Sequence, residues 1–292
     1  MLRGCITALV TPMFADGSID YDSLGSLIEW QIANGVSGVV ANGSTGEAAN
    51  LATKETIDLI EFIIKKVAGR VKIVVGAGTA STMTSVKFIE RVNEIEGVDY
   101  LMCLAPYYVK PTQSGLYIHF SQCVEASKFP VILYNVPGRT GCDVHNDTVL
   151  RLAKDLPKVV GLKDATGDLE RCIDMVKRMP KDFIYLSGDD CTVLQFLLLG
   201  GSGVISVVSN IRPAQMSKLC QLVDESNLAD ARKLNNEMLE LYSSMFCEAN
   251  PIPVKWALFH EKRIATPELR LPLTILSEQY HSKISNILKG IG

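Results

Sequence analysis

The chain lacks an excess of one charge, long apolar runs and a leader-like N-terminus. Its 292 residues carry a net charge of −3 with acidic and basic residues interspersed, whereas a nucleic-acid-binding protein shows a basic stripe. No apolar run approaches the length of a membrane span, and the stretch MLRGCITALVTP is too short in apolar residues for a signal peptide. The composition, with 47% hydrophobic residues, therefore predicts a folded cytoplasmic protein that binds neither nucleic acid nor membranes.

Cysteine and histidine are present but scattered. The eight cysteines include no C-x-x-C pair, and the four histidines show no H-x-H or H-E-x-x-H spacing. Structural zinc requires clustered ligands, and a disulfide framework is typical of small secreted chains. The sequence therefore predicts free, buried thiols and no metal site.

A regular alternation of strand and helix patterns runs along most of the chain. Short runs rich in β-branched residues are separated by segments with apolar residues at helical spacing. Eight such runs begin at residues 6, 38, 72, 100, 130, 159, 183 and 203. Eight strand–helix units match an α/β fold of the (β/α)8 TIM-barrel type, which typically needs ~250 residues. A doubly wound open sheet is the alternative, but no G-x-G-x-x-G motif opens the first helix.

The strand pattern ends after the eighth run. Residues 227–248, 252–263 and 273–289 have helical patterns, with proline-containing turns between them. We therefore predict a barrel catalytic domain over residues 1–224 and a C-terminal helical extension over residues 225–292, packed on the barrel.

A lysine closes the sixth predicted strand. In VVGLKDATGDL, residues 159–169, Lys163 follows an apolar run. Such a lysine can simply extend its stem along apolar surface to reach water. In a TIM barrel, however, the C-terminal strand ends carry the catalytic groups, and an apolar interior favours the neutral, nucleophilic amine. The second interpretation makes Lys163 the nucleophile of class I aldolase-type chemistry, which forms a Schiff base and needs no cofactor.

Other strand ends supply hydroxyl groups and an arginine. Tyr134 ends the fifth predicted strand, and Ser44 and Thr45 lie in the GSTGE turn after the second. Hydroxyls can transfer protons, and the backbone N–H groups of a small-residue turn suit a carboxylate. Arg139, five residues after Tyr134, is a candidate for binding a second carboxylate. Each residue alone has an ordinary structural explanation, but their common position at one barrel face favours a shared site.

Six motifs together resemble the dihydrodipicolinate synthase / N-acetylneuraminate lyase family. They follow the family order along nearly the whole chain: GSTGE at 43–47, YNVPGRTG at 134–141, GLKDATGD at 161–168, SGDD at 187–190, GGSGVISV at 200–207 and NPIPVKWAL at 250–258. The resemblance implies a TIM barrel that condenses pyruvate with L-aspartate-4-semialdehyde in lysine and diaminopimelate biosynthesis. It also implies a homotetramer built as a dimer of tight dimers.

The resemblance also implies a role for each matched residue. Lys163 corresponds to the lysine that forms the Schiff base with pyruvate, and Tyr134 to the proton-transfer tyrosine. Ser44 stands at the position of a relay hydroxyl, and Tyr108 at that of a tyrosine from a neighbouring subunit. The remaining matches are substrate contacts: Thr45 for the pyruvate carboxylate, Gly188 and Ile205 for the backbone lining of the pyruvate site, and Arg139 for the semialdehyde carboxylate.

Two alternatives to this activity remain open. The GSTGE turn also occurs in the neuraminate lyase branch, so a lyase that cleaves a sugar acid or a 4-hydroxy-2-oxo acid is the second hypothesis. A non-catalytic barrel that binds a metabolite is the third. Arg139 favours the synthase, because a sugar-acid lyase has no semialdehyde carboxylate to bind.

Feedback regulation is predicted to be weak or absent. Lysine-inhibited members of the family carry two histidines, an asparagine and a glutamate at the positions of Thr53, Thr56, Ala80 and Thr84, while Tyr107 is retained. Three hydroxyl groups and a methyl group supply no charge for the ammonium group of an amino acid. We therefore expect little inhibition by lysine.

Overall fold

The computed structural model describes residues 2–291, and its strands form one closed parallel barrel. The strands are neighbours in chain order, and at least one helix follows each of them. They are β1 Gly4–Ala8, β2 Gly38–Ala41, β3 Lys72–Ala77, β4 Tyr100–Leu104, β5 Val131–Asn135, β6 Val159–Asp164, β7 Ile184–Ser187 and β8 Gly203–Ser206. The predicted TIM barrel is confirmed.

Twelve helices lie within the part of the chain that the structure describes. They are α1 Tyr21–Ala33, α2 Thr53–Val67, α3 Thr82–Val92, α4 Gln113–Ala126, α5 Pro137–Thr140, α6 Asn146–Asp155, α7 Leu169–Arg178, α8 Val193–Leu198, α9 Pro213–Asp224, α10 Leu228–Ser244, α11 Ile252–His260 and α12 His281–Gly290. None of these helices is long and apolar enough to cross a membrane.

Burial explains why these segments form strands and helices. Every residue of β2, β5, β7 and β8 is buried, as expected for parallel strands that are covered on both faces. In α2 the buried residues include Leu59, Ile60, Ile63 and Val67, which recur at helical spacing and give the helix one apolar face. These four strands are therefore buried along their whole length, whereas the helix is apolar only on the face that it buries.

The chain divides into two compact units. The first comprises Lys72–Ile205 with the N-terminal residues, and it contains β3 to β7 with most of β8. Its strands pair in register, so that Tyr134 on β5 lies opposite Lys163 on β6. The second comprises Gly4–Val71 and the chain from residue 206 onward, with β1, β2 and helices α9 to α12. The predicted domain boundary between residues 224 and 225 divides the chain differently and stays a prediction.

The helical extension contains one difference from the sequence pattern. The helix predicted over 273–289 begins only at His281, after a 3-10 turn over Glu278–Tyr280. Ser277 is extended instead, because its backbone N–H and its hydroxyl both donate to the carboxylate of Glu248, at 3.4 and 2.5 Å. A contact with a distant residue therefore outweighs the local helical pattern.

Candidate active site

Lys163 and Tyr134 lie side by side in the first unit. They are cross-strand neighbours at the C-terminal ends of β6 and β5. The Nζ atom of Lys163 lies 4.1 Å from the centroid of the Tyr134 ring. Each residue is only 6% exposed, so the amine does not extend into bulk water as a surface lysine would. The arrangement presents a buried amine beside a phenol.

Gly188, just after β7, leaves space for the stem of Lys163. Its backbone N–H donates to the carbonyl of Asp164 at 2.7 Å, which holds it against β6. A Cβ atom at Gly188 would lie 2.9 Å from Cε of Lys163 and 2.7 Å from Cβ of Ala165. Non-bonded carbon atoms prefer separations of about 3.5–4.0 Å, so only glycine permits this lysine position. Ile205, on β8 of the same unit, is 1% exposed.

Asp164, the residue after Lys163 on β6, anchors a polar network that extends from the buried strand end to a more exposed carboxylate, Asp143. Its carboxylate accepts hydrogen bonds from the Tyr185 hydroxyl and from Nε of Arg171, both at 3.0 Å. Arg171 also donates to the carboxylate of Asp143 at 3.1 Å, and the Asn135 amide donates to the same carboxylate at 2.7 Å. Burial, together with the charge of Asp164, raises the pKa of Tyr185 well above its usual range, so the phenol stays protonated and keeps donating.

This network ties the end of β6 to the loop that follows β5. Sequence reasoning missed it, although Asp164 directly follows Lys163 and a carboxylate at the end of a buried strand needs a partner. The partners themselves are not visible in the sequence. Arg171 is seven residues away on α7, and Tyr185 is 21 residues away on β7.

Arg139 and Tyr108 lie in exposed segments after β5 and β4. Arg139 is an exposed residue of the short helix α5. Tyr108 is 88% exposed and has a φ of +73°, a region that residues other than glycine rarely adopt. Its backbone N–H donates to the carbonyl of Thr140 at 3.0 Å. This bond joins the Tyr108 loop to the helix that carries Arg139.

Ser44 and Thr45 lie in the second unit, in a 3-10 turn over Ser44–Gly46 that follows β2. Ser44 is half-buried, and Thr45 is buried. The Thr45 hydroxyl accepts a hydrogen bond from the Asn250 side-chain amide at 2.9 Å, which leaves its own O–H free to donate. The Thr11 hydroxyl donates to the carbonyl of Gly46 at 2.8 Å and fixes the end of the turn.

Glu47, the residue after this turn, forms a fully buried ion pair. Glu47 has a φ of +59°, and its Oε1 lies 2.8 Å from Nζ of Lys255 on α11, with both side chains 0% exposed. Its Oε2 accepts the backbone N–H of Arg270 at 3.0 Å. Desolvation lowers the pKa of Lys255, and the charge of Glu47 opposes that shift. The motif NPIPVKWAL contributes to the family resemblance, but the sequence alone predicts no role for Asn250 or Lys255.

Comparison with known proteins assigns the chain to a family. Residues 1–291 match the model of the Dihydrodipicolinate synthetase family. The chain belongs to the dihydrodipicolinate synthetase family. It is 48% identical over 290 residues to a protein named 4-hydroxy-tetrahydrodipicolinate synthase from Laribacter hongkongensis, a match that covers 99% of both chains.

Solved structures of the dihydrodipicolinate synthetase family have the same fold. The chloride-inhibited dihydrodipicolinate synthase from Acinetobacter baumannii, complexed with pyruvate, matches with a TM-score of 0.97 and 44% identity, over 100% of this chain and 99% of that one. A monomeric dihydrodipicolinate synthase variant matches with a TM-score of 0.96 and 38% identity, over 100% and 97%. The family assignment made from the six sequence motifs is confirmed.

Proposed function

We propose that this chain is a lyase-class enzyme that condenses pyruvate with L-aspartate-4-semialdehyde to 4-hydroxy-tetrahydrodipicolinate, in lysine and diaminopimelate biosynthesis. The observation that carries the proposal is the buried amine of Lys163, 4.1 Å from the ring centroid of Tyr134. The relatives named 4-hydroxy-tetrahydrodipicolinate synthase support it, because they align over nearly the whole chain.

The first step forms a Schiff base on Lys163. The neutral amine attacks the keto carbon of pyruvate, and loss of water gives an iminium ion. Gly188 leaves the stem of Lys163 the space that it needs. The resemblance to the family implies that the turn after β2, Ser44–Gly46, contacts the pyruvate carboxylate. We assign the pyruvate carboxylate to the N–H groups of that turn and the hydroxyl of Thr45, with Ile205 lining the pyruvate site.

The second step creates the carbon nucleophile and the new bond. The iminium withdraws electrons, so the methyl carbon of pyruvate loses a proton and becomes an enamine. Tyr134 transfers the proton, with the hydroxyls of Ser44 and of Tyr108 from a neighbouring subunit as the relay. The enamine carbon attacks the aldehyde carbon, while Arg139 binds the carboxylate of the semialdehyde. The amino group of the second substrate then attacks the iminium carbon, closes the ring and releases Lys163.

The role of Tyr108 requires a second copy of the chain. Its side chain is 88% exposed and stands on a loop with a left-handed backbone, as expected of a residue that serves a neighbouring subunit. We therefore include a cytoplasmic homotetramer, a dimer of dimers, in the proposal. Sedimentation of the purified protein tests this part separately, since one relative is a monomeric variant.

Product formation from pyruvate and L-aspartate-4-semialdehyde, coupled to the next reductase, tests the activity. Cleavage of sugar acids and of 4-hydroxy-2-oxo acids is measured in parallel. Condensation of pyruvate with the semialdehyde, without cleavage of the other compounds, supports the proposal. Cleavage of an oxo acid without condensation would instead support the lyase function.

Borohydride reduction in the presence of pyruvate tests the nucleophile. Wild type and the matched variant Lys177→Ala, which changes an exposed lysine of α7, should each gain one reduced pyruvate adduct. Lys163→Ala should gain none. Equal labelling of Lys163→Ala would show that a different amine is the nucleophile.

A further inference from the structure

A second cluster of reactive side chains lies in the first unit, between β4 and α4. Cys103 is on β4, and His119 and Cys123 are one turn apart on α4. Cys103 and Cys123 are 0% exposed and His119 is 4% exposed. The Schiff-base chemistry uses none of these residues, so their convergence needs a separate explanation.

The spacing of the three side chains is about 1 Å wider than that of zinc ligands. The Sγ atoms of Cys103 and Cys123 and a ring nitrogen of His119 lie within 4.8 Å of one another, and Nε2 of His119 is 3.8 Å from Sγ of Cys123. A tetrahedral zinc ion with ordinary Zn–S and Zn–N distances holds its ligand atoms about 3.5–3.8 Å apart. Movements of about 1 Å would therefore bring all three atoms to bonding distance.

The imidazole ring of His119 is oriented by the residue behind it. Nδ1 lies 2.8 Å from the hydroxyl of Thr82, at the start of α3. With the proton on Nδ1, the ring donates to that hydroxyl and directs the lone pair of Nε2 toward Cys123. Metal-binding histidines are commonly oriented in this way, through a hydrogen bond from the second ring nitrogen.

We propose that Cys103, His119 and Cys123 form a binding site for a divalent, thiophilic cation of the zinc class. Two thiolates balance the charge of such a cation, so the loaded site is neutral, as burial requires. Three protein ligands leave the fourth tetrahedral position to a water molecule. The ion would link β4 to α4, and through β4 it would stiffen the segment that leads to Tyr108.

Metal binding by the whole protein, purified in reductant and freed of metal, is the first test. Titration with Cd²⁺ should end at one equivalent per chain and produce the ultraviolet absorption of cadmium–thiolate bonds. X-ray absorption of the Zn²⁺-loaded wild type should show two sulfur ligands at about 2.3 Å and a nitrogen ligand at about 2.0 Å. No stoichiometric binding, or an ion bound by oxygen and nitrogen alone, would overturn the proposal.

Variants then assign the ligands. Cys103→Ala and Cys123→Ala should each weaken Cd²⁺ binding at least 100-fold, while Cys191→Ala, which removes an exposed cysteine, should bind like the wild type. Thr82→Val should weaken binding by about 10–100-fold through the loss of ring orientation. Unchanged affinity in both ligand variants would contradict the assignment. A disulfide between Cys103 and Cys123 in the purified protein would also overturn it. If an alanine variant does not fold, the wild-type absorption spectrum decides.

Discussion

Lys255→Met removes the positive charge from a site in which Glu47 has no access to water. Methionine retains an unbranched stem of similar length, so the change mainly deletes the ammonium group. The carboxylate of Glu47 then remains 0% exposed and retains the hydrogen bond from the Arg270 backbone N–H at 3.0 Å. The substitution therefore isolates the cost of a buried, uncompensated charge.

The expected cost follows from this geometry. Breaking a buried ion pair from one side typically destabilises a protein by about 3–5 kcal/mol. The hydrogen bond from Arg270 offsets part of this, so we expect about 3 kcal/mol for Lys255→Met. The double variant Lys255→Met with Glu47→Gln removes both charges and retains an acceptor for that N–H. It should recover about half or more of the loss, because what remains is an imperfectly paired amide.

Urea unfolding monitored by circular dichroism measures these differences. Lys177→Met, at an exposed lysine of α7, is the matched control and should change stability by no more than about 0.5 kcal/mol. If Lys255→Met were as stable as that control, or if the double variant were no more stable than the single one, burial of a charge would not be the reason for the pairing.

The remaining predictions concern the substrates, regulation and acid stability. Arg139→Ala should raise the KM for the semialdehyde at least tenfold and leave borohydride trapping of pyruvate nearly unchanged; an equal loss of both would remove its assigned role. Millimolar lysine should leave at least half of the activity, and half-inhibition below 1 mM would contradict the regulatory prediction. Gly188→Ala should slow imine formation at least tenfold, because the added Cβ would lie 2.9 Å from Cε of Lys163; unaltered trapping would refute that reasoning. Hydrogen bonds from Arg270 lower the pKa of Glu55 to about 2 from a usual 4.5, so this stabilisation is present above about pH 4.5 and is lost as the pH falls to 2. Arg270 also donates to the carbonyls of Gly17 and Asn50, which do not titrate, so Arg270→Gln should cost about 1 kcal/mol more at pH 7 than near pH 2. A cost that urea unfolding finds unchanged with pH would contradict the linkage.

The barrel was predictable because its signal is repeated and local. Each strand is a short apolar run whose position can be read directly, and all eight predicted runs overlap the observed strands. The start of α12 was not predictable in the same way. Its sequence reads as helical from residue 273, but Ser277 binds Glu248, which lies 29 residues away. A helix boundary that depends on such a distant partner produces no periodic pattern in the local sequence.

The two buried lysines show the same limit of prediction from sequence, which is that distant partners are not visible. Lys163 is recognisable in the sequence, because a lysine in an apolar run is unusual and the motif around it resembles that of a known family. Lys255 lies in an equally apolar run, where seven of the nine residues of α11 are buried. Its partner Glu47 is 208 residues away, so the sequence gives no indication of whether the charge is paired or reactive. The cysteine cluster is similar, because only the spacing of His119 and Cys123 on α4 is visible in the sequence.

The different environments of the two amines lead us to expect different chemistry from Lys163 and Lys255. Lys255 faces a carboxylate at 2.8 Å, which favours the ammonium form and makes the amine a poor nucleophile. Lys163 faces the ring of Tyr134, whereas Asp164, the next residue of β6, projects to the opposite face of the sheet, where Arg171 and a tyrosine hydroxyl bind its carboxylate. We expect burial against a carboxylate to give a structural ion pair, and burial beside the phenol of Tyr134 to give an amine that can attack a carbonyl. Pyruvate and borohydride should accordingly label one buried lysine and leave the other unmodified.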